Sequence, residues 1–230
     1  TGQILGKIRD LDVLYEDMVI FQTNQTHQFV GKFWEQNISP MYNQYRNEFF
    51  SLISSDRYKN LFSYLSVFCR EKTSGIKFFG KLPPESWRIK EFSSTRITKF
   101  LENMLAYANN FDSPQPYHSY HQLRKDAKKF RYALEFFTPI LNPPNTEILV
   151  QNLVILQDHL GNLNDTVVAT EIFEDFRPQL YSSLESDHPS IITYFESRKQ
   201  ERIQLTTSFA KTWAGFLDST PQILLKQCLE

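Results

Sequence analysis

Tyr117-His118-Ser119-Tyr120-His121-Gln122-Leu123-Arg124-Lys125-Asp126-Ala127-Lys128-Lys129-Phe130-Arg131-Tyr132-Ala133-Leu134-Glu135-Phe136-Phe137 is the stretch whose reading decides the fold. It follows Pro114 and Pro116 and stops near Pro139, with Pro143-Pro144 closing it off, so its ends carry helix-breaking signals. At 3.6 residues per turn, Leu123, Ala127, Phe130, Leu134 and Phe137 form one apolar stripe that faces a core. His121, Arg124, Lys128, Arg131 and Glu135 form a second stripe beside it, with Lys125 and Tyr132 at the border. Like charges three and four residues apart weaken an isolated helix by a few tenths of a kcal/mol per pair, roughly. Such stacking makes sense when something negative neutralises it. Acids on another helix would serve, and so would a phosphorylated ligand. An arginine fork grips phosphate oxygens in pairs, whereas lysine supplies a mobile point charge.

Outward from this helix the chain reads as more helices. Ile4 to about Gln36 is expected as one helix, broken at Ile38-Ser39-Pro40. Tyr42 to about Ser54 and Tyr58 to Glu71 are expected as two shorter ones around a Ser54-Ser55-Asp56 joint. Gly75 to Trp87, with Gly80, Pro83 and Pro84, reads as a loop. Ser93 or Ser94 is a candidate cap for a helix reaching about Asn109. Thr146 is a candidate cap for another, which Pro178 should end near Phe176. Ser190 to about Leu217 and a short helix after Pro221 complete the set. In the 146–176 helix Leu149, Leu153, Leu156, Leu160, Leu163 and Val167 recur at steps of four and three, the stripe of a helical bundle.

Composition narrows the class. The chain has 230 residues, 41% hydrophobic and 15% aromatic, with only 7 glycines. That is enough apolar surface for a sizeable core and few residues for tight β-turns. Its two cysteines, Cys69 and Cys228, have no metal-ligand spacing and form no disulfide framework, which points to a reducing, cytoplasmic setting. No segment reaches the apolar length of a membrane span. Asn24, Asn37 and Asn164 head glycosylation-like triplets that are read as chance matches. The net charge is −1, yet its distribution is uneven. Arg70 to Lys99 holds eight basic and three acidic residues, and Arg124 to Arg131 five basic against Asp126 alone. Leu141 to Ser190 holds eight acids against Arg177. Concentrated basic elements lie under a neutral total.

Two stretches also resemble each other. Ile4-Leu5-Gly6-Lys7-Ile8-Arg9-Asp10 and His159-Leu160-Gly161-Asn162-Leu163-Asn164-Asp165 share Leu-Gly-x-Ile/Leu-x-Asp, their glycines 155 positions apart, as a duplicated unit would. The run His-x-Leu-Arg-x-x-x-Lys-x-x-Arg-Tyr-x-x-Glu-x-Phe, His121 to Phe137, resembles the second signature helix of the conserved histidine α-helical domain (CHAD) family. Leu156-Gln157-Asp158-His159-Leu160-Gly161-x-x-Asn164-Asp165 is similar to its companion helix, and Leu5-Gly6-Lys7-Ile8-Arg9-Asp10 to the companion helix of a first repeat. The resemblance implies an all-α fold of two similar antiparallel helical bundles related by approximate two-fold symmetry. Residues 1–110 would be a partial first repeat and 111–230 the second. The histidine-arginine helix of the first repeat would fall before Thr1. The resemblance further implies non-catalytic binding of inorganic polyphosphate in a basic groove between bundles, with polyphosphate granules as one location. His121, Arg124, Lys125, Lys128 and Arg131 would contact the ligand, and Arg96 and Lys99 on the preceding helix are lesser candidates.

Other classes are weaker. His118 and His121 have helical spacing for a shared metal but no third ligand with matching spacing, so no metal or other cofactor is expected. Asp158 with Asp165, and Glu174 with Asp175, read as solvated helix acids rather than an acid–base pair. No phosphate-binding Gly-rich loop is present, so no ATP-driven enzyme is expected. A nucleic-acid-binding helical domain fits the basic stripe but lacks a recognition signature. A protein-interaction scaffold, with the stripe paired to the acidic 146–176 helix, is the remaining alternative.

Overall fold

The computed structural model describes residues 2–23, 29–70, 89–182 and 188–230, and every regular element among them is helical. The all-α expectation holds. Gly75 to Trp87 lies outside the described residues.

The first expected helix is divided. Helix α1 spans Gly2–Gln22. The Gln22 Oε1 then accepts the N–H groups of Phe29 and Val30 at 2.6 and 2.7 Å. In one continuous helix those donors would bond to carbonyls four residues back. Here they head a new element, and a side chain satisfies them. Helix α2 (Val30–Phe33) passes through a π-helical turn, Trp34–Ile38, into α3 (Ser39–Ser54). The expected break at Ile38-Ser39-Pro40 is therefore a change of helical pitch. Pro40 falls in the first turn of α3, where a missing N–H costs little.

The joint at Ser55 is where the sequence places it. The Ser55 hydroxyl donates to the Leu52 carbonyl at 2.6 Å and accepts the Tyr58 N–H at 3.3 Å, opening α4 (Asp56–Arg70). Helix α5 spans Ile89–Leu105, so neither Ser93 nor Ser94 caps it. Ser93 is buried inside, its hydroxyl donating to the Lys90 carbonyl at 2.9 Å. Helix α6 is Tyr117–Phe137, as read, followed by a 3₁₀ turn, Thr138–Ile140.

Helix α7 is longer than expected at both ends, Pro143–Ser182. Thr146 sits in its first turn and donates to the Asn142 carbonyl at 2.7 Å, so it is not the cap. Pro178 does not end the helix. An interior proline costs about 3 kcal/mol, and the buried Leu180 beyond it supplies packing that offsets this. Helices α8 (His188–Asp218) and α9 (Pro221–Leu229) close the chain.

Two compact units share these helices. The first takes Thr1–Ser86 and Val168–Ser197, the second Trp87–Val167 and Arg198–Glu230. The core of the first gathers Leu11, Leu14 and Met18 of α1, Phe29, Phe33 and Ile38, and Phe173, Tyr194 and Phe195. That of the second gathers Ile97, Leu101 and Met104 of α5, Leu123, Phe130 and Leu134 of α6, Leu149 to Leu163 of α7, and Phe209, Trp213 and Phe216 of α8. Helices α6 and α7 are antiparallel neighbours. Tyr117 reaches Asn164 at 2.7 Å, and Gln157 reaches the Ala127 carbonyl at 2.9 Å, so partners advance along one helix as they retreat along the other.

Candidate functional site

The apolar stripe of α6 is what aims its basic one. Leu123, Ala127, Phe130 and Leu134 are fully buried. Helical geometry then holds the adjoining stripe at the rim of that buried face. His121, Arg124, Lys128 and Arg131 are accordingly half-buried, while Lys125 is exposed. Four of the five α6 candidates thus share one strip, with Lys125 at its outer border.

Of the two α6 cations with a described ion pair, Arg131 is the more enclosed. Its side chain is 25% exposed and its Nε lies 3.4 Å from Glu135 Oε1. The pair is not aligned as a hydrogen bond, and the Arg131 Nε is buried with its donor unused among the described residues. Its guanidinium also lies 5.4 Å from the Tyr132 ring centre, within cation–π reach.

The acid inside the basic run works on the other edge of α6. Asp126 is 7% exposed. It accepts Lys129 Nζ at 3.0 Å, Gln122 Nε2 at 3.0 Å and the Tyr107 hydroxyl at 3.5 Å. One residue before Ala127 and one after it turn to opposite sides of the helix, and Asp126 pairs with Lys129. Burial, and then the Asp126 carboxylate beside it, pushes the Tyr107 phenol above its ordinary pKa.

Arg96 and Lys99 stand apart. Helix α5 meets α6 in the core through Ile97, Leu101 and Met104, while Arg96 and Lys99 are exposed. The Arg96 guanidinium lies 5.6 Å from the Phe92 ring centre, and Lys99 Nζ lies 3.3 Å from Glu102. Both engage residues of their own helix, and no described contact joins them to the α6 stripe.

His121 belongs to a polar chain that links two helices. The Tyr117 hydroxyl donates to Asn164 Oδ1 at 2.7 Å and lies 3.5 Å from His121 Nδ1. Asn164 in turn donates to Asp165 at 3.3 Å. With its one proton given to Asn164, the Tyr117 oxygen is an acceptor toward Nδ1. Tyr117 and Asn164 were not singled out as functional by sequence reasoning. Tyr117 sits one turn before His121 on the same stripe, so periodicity held the signal, but its partner is 47 residues away.

His159, inside the companion motif, has a structural role. Its Nε2 lies 2.8 Å from the Leu205 carbonyl and its Nδ1 2.8 Å from the Thr212 hydroxyl. A carbonyl only accepts, so the proton is on Nε2 and Nδ1 accepts from Thr212. The ring thereby ties α7 to α8. The shared glycines have no such explanation: a Cβ on Gly6 or Gly161 would meet nothing within 4 Å.

Among the described residues no three His, Cys, Asp or Glu side chains converge as a metal site. The glycosylation-like Asn37 and Asn164 spend their amides on internal bonds; Asn24 lies outside the described residues. No described helix is long and apolar enough to cross a membrane.

The profile of the CHAD domain matches residues 1–174. The chain belongs to the CHAD domain family. The CHAD match takes in all of α6 and most of α7, so both helices that carry the quoted motifs lie inside it. No curated protein matches the chain.

Proposed function

We propose that this CHAD domain binds inorganic polyphosphate along α6 without turning it over. The observation that carries the reading is the half-buried row Arg124, Lys128 and Arg131, with the Arg131 Nε donor buried and unused. A cation at the rim of a core has lost part of its water, so an anion meets it with less desolvation than at a fully exposed site. Successive members are about 6 and 4.5 Å apart along the helix axis. A flexible chain with a charge on every unit engages several of them at once. His121 and Lys125 flank the row, and Arg96 and Lys99 are outlying contacts. The family's known role in binding polyphosphate supports the choice of ligand.

The reading includes the family's architecture of two similar bundles related by approximate two-fold symmetry, with residues 1–110 and 111–230 as the two sequence repeats. Helix α5 and Val168–Ser197 are exchanged across that division, since each packs in the compact unit of the other repeat. The Leu-Gly-x-Ile/Leu-x-Asp likeness between α1 and α7 supports it. It also places the protein in the cytoplasm, at polyphosphate granules.

The test is retention on immobilised long-chain polyphosphate, with competition by DNA, RNA, orthophosphate and polyphosphates of graded length. Binding is expected to rise steeply with chain length, because linked units act at high effective concentration, and to fall with salt. Replacing Arg124, Lys128 and Arg131 together by Glu should abolish retention with helicity intact. If the folded triple variant is retained as well as the parent, α6 is not the platform. Preferential competition by RNA or DNA would shift the ligand to nucleic acid.

A further inference from the structure

The first unit holds a second built feature, far from α6 in sequence. Asp12, Tyr15, Trp34 and Tyr42 line a cavity of about 260 Å3. Asp12 and Tyr15 come from α1, Trp34 opens the π-helical turn and Tyr42 lies in the first turns of α3. The Tyr15 and Trp34 rings are 4.8 Å apart and inclined at 66°, and the Trp34 and Tyr42 rings 5.6 Å apart at 60°. The rings meet edge to face and together line the recess. Tyr42 and Asp12 line the recess side by side, and the Asp12 carboxylate raises the Tyr42 phenol above its ordinary pKa. Tyr15 is 39% exposed and Asp12 is exposed, so the recess opens to solvent.

We propose that this recess of three aromatic walls and one carboxylate is a binding site for a methylated ammonium group. The π faces of Trp and Tyr are electron-rich and attract a cation placed over them. A trimethylammonium carries its charge on methyl groups and donates no hydrogen bonds, so ring faces and one carboxylate satisfy it. A primary ammonium carries three hydrogen-bond donors, which water serves better than ring faces do. The volume suits a head group of a few heavy atoms and is below that of a drug-sized ligand.

Two further observations agree. The rings of this region already draw the chain's own cations: Lys7 Nζ lies 4.8 Å from the Tyr45 ring centre and the Arg46 guanidinium 5.9 Å from that of Tyr42. The π turn that carries Trp34 is a feature that recurs at functional sites, and it interrupts the regular pitch at the residue that forms the central wall.

The source of the group is either a small free molecule such as choline or a trimethylated lysine side chain of a protein partner. The experiment titrates the 230-residue chain with choline, with a trimethyl-lysine peptide and with 3,3-dimethylbutan-1-ol, the uncharged carbon analogue of choline. The indole N–H resonance of Trp34, assigned through Trp34→Phe, is the readout. Saturable shifts with one or both cations, and none with the alcohol, are expected. The pair that responds identifies the source. Tyr15→Leu and Asp12→Asn alter exposed side chains, so both variants should fold. Each should weaken the cation about five- to tenfold. An equal response to the alcohol would reduce the recess to an apolar dent and overturn the proposal. So would unchanged affinity in both variants, or no response to either cation at about 10 mM, where three such contacts predict occupancy.

Discussion

Glu135→Gln should make polyphosphate bind more tightly, and the geometry sets the size of the gain. Glu135 ends the basic stripe of α6 and its Oε1 lies 3.4 Å from the Arg131 Nε. To meet a phosphate, Arg131 gives up this contact. An i,i+4 pair with the cation on the N-terminal side is the less favourable orientation, worth about 0.3 kcal/mol. The carboxylate also repels a phosphate held by Arg131: two unit charges about 8 Å apart in water cost about 0.5 kcal/mol. Together these come to about 0.8 kcal/mol, or about fourfold in affinity. The substitution keeps the side chain's length and its exposure, 48% in the parent, so the fold should not change. Isothermal titration with a polyphosphate of fixed length, at one moderate salt concentration, measures the effect. Circular dichroism confirms the helices. Affinity that stays level or falls in a folded Glu135→Gln protein would show that Arg131 does not reach the ligand, and the stripe would then end at Lys128.

Tyr117→Phe removes the donor to Asn164, whose side chain is nearly enclosed at 7% exposure; the cost of about 1–2 kcal/mol should lower the Tm by about 2–8 °C, and a thermal scan matching the parent would contradict a structural role for that bond. Cys69 is exposed and Cys228 buried, with burial pushing the Cys228 thiol above its ordinary pKa, so a thiol reagent should titrate one cysteine in the native protein and both in denaturant; equal native rates would refute this. The Tyr107 phenol, raised by burial and by Asp126, stays protonated in the folded state at a pH where the unfolded chain has begun to ionise. Its contribution is present below about pH 10 and lost as pH rises through the folded value. Denaturant midpoints between pH 9 and 11 should therefore fall less in Tyr107→Phe than in the parent, and parallel curves would remove this group from the alkaline response.

What was legible in the residues was whatever one helix decides by itself. The ends of α6, the placing of its basic stripe beside a buried one and the leucine stripe of α7 all follow from a 3.6-residue period and from prolines outside the helix. Local polarity also marked the joint at Ser55, where one hydroxyl serves both neighbouring helices. Where a boundary depends on distant partners, the same signals mislead. Pro178 is a strong local stop, yet α7 continues because Leu180 beyond it is buried in the first unit's core. The 4–36 stretch has helical periodicity throughout, yet α1 ends at Gln22, whose side chain satisfies the backbone donors of Phe29 and Val30.

The candidate site divides in the same way. The cations of α6 could be named from their spacing, because a helix fixes which side chains share a face. What each cation does about its charge depends on what packs nearby. Asp126 takes Lys129, Glu135 stands by Arg131, and Arg96 and Lys99 engage their own helix. His159 lies inside the companion motif, and its role follows from two ring nitrogens that meet a carbonyl and a hydroxyl on α8, 46 and 53 residues away. The positions of most helices and their amphipathic faces were legible in the residues alone, because backbone hydrogen bonding and side-chain periodicity act within a few residues. Which stretches share a core, such as Val168–Ser197 with Thr1–Ser86, and which polar groups pair with one another came from tertiary packing, because burial and pairing join residues that the chain keeps far apart.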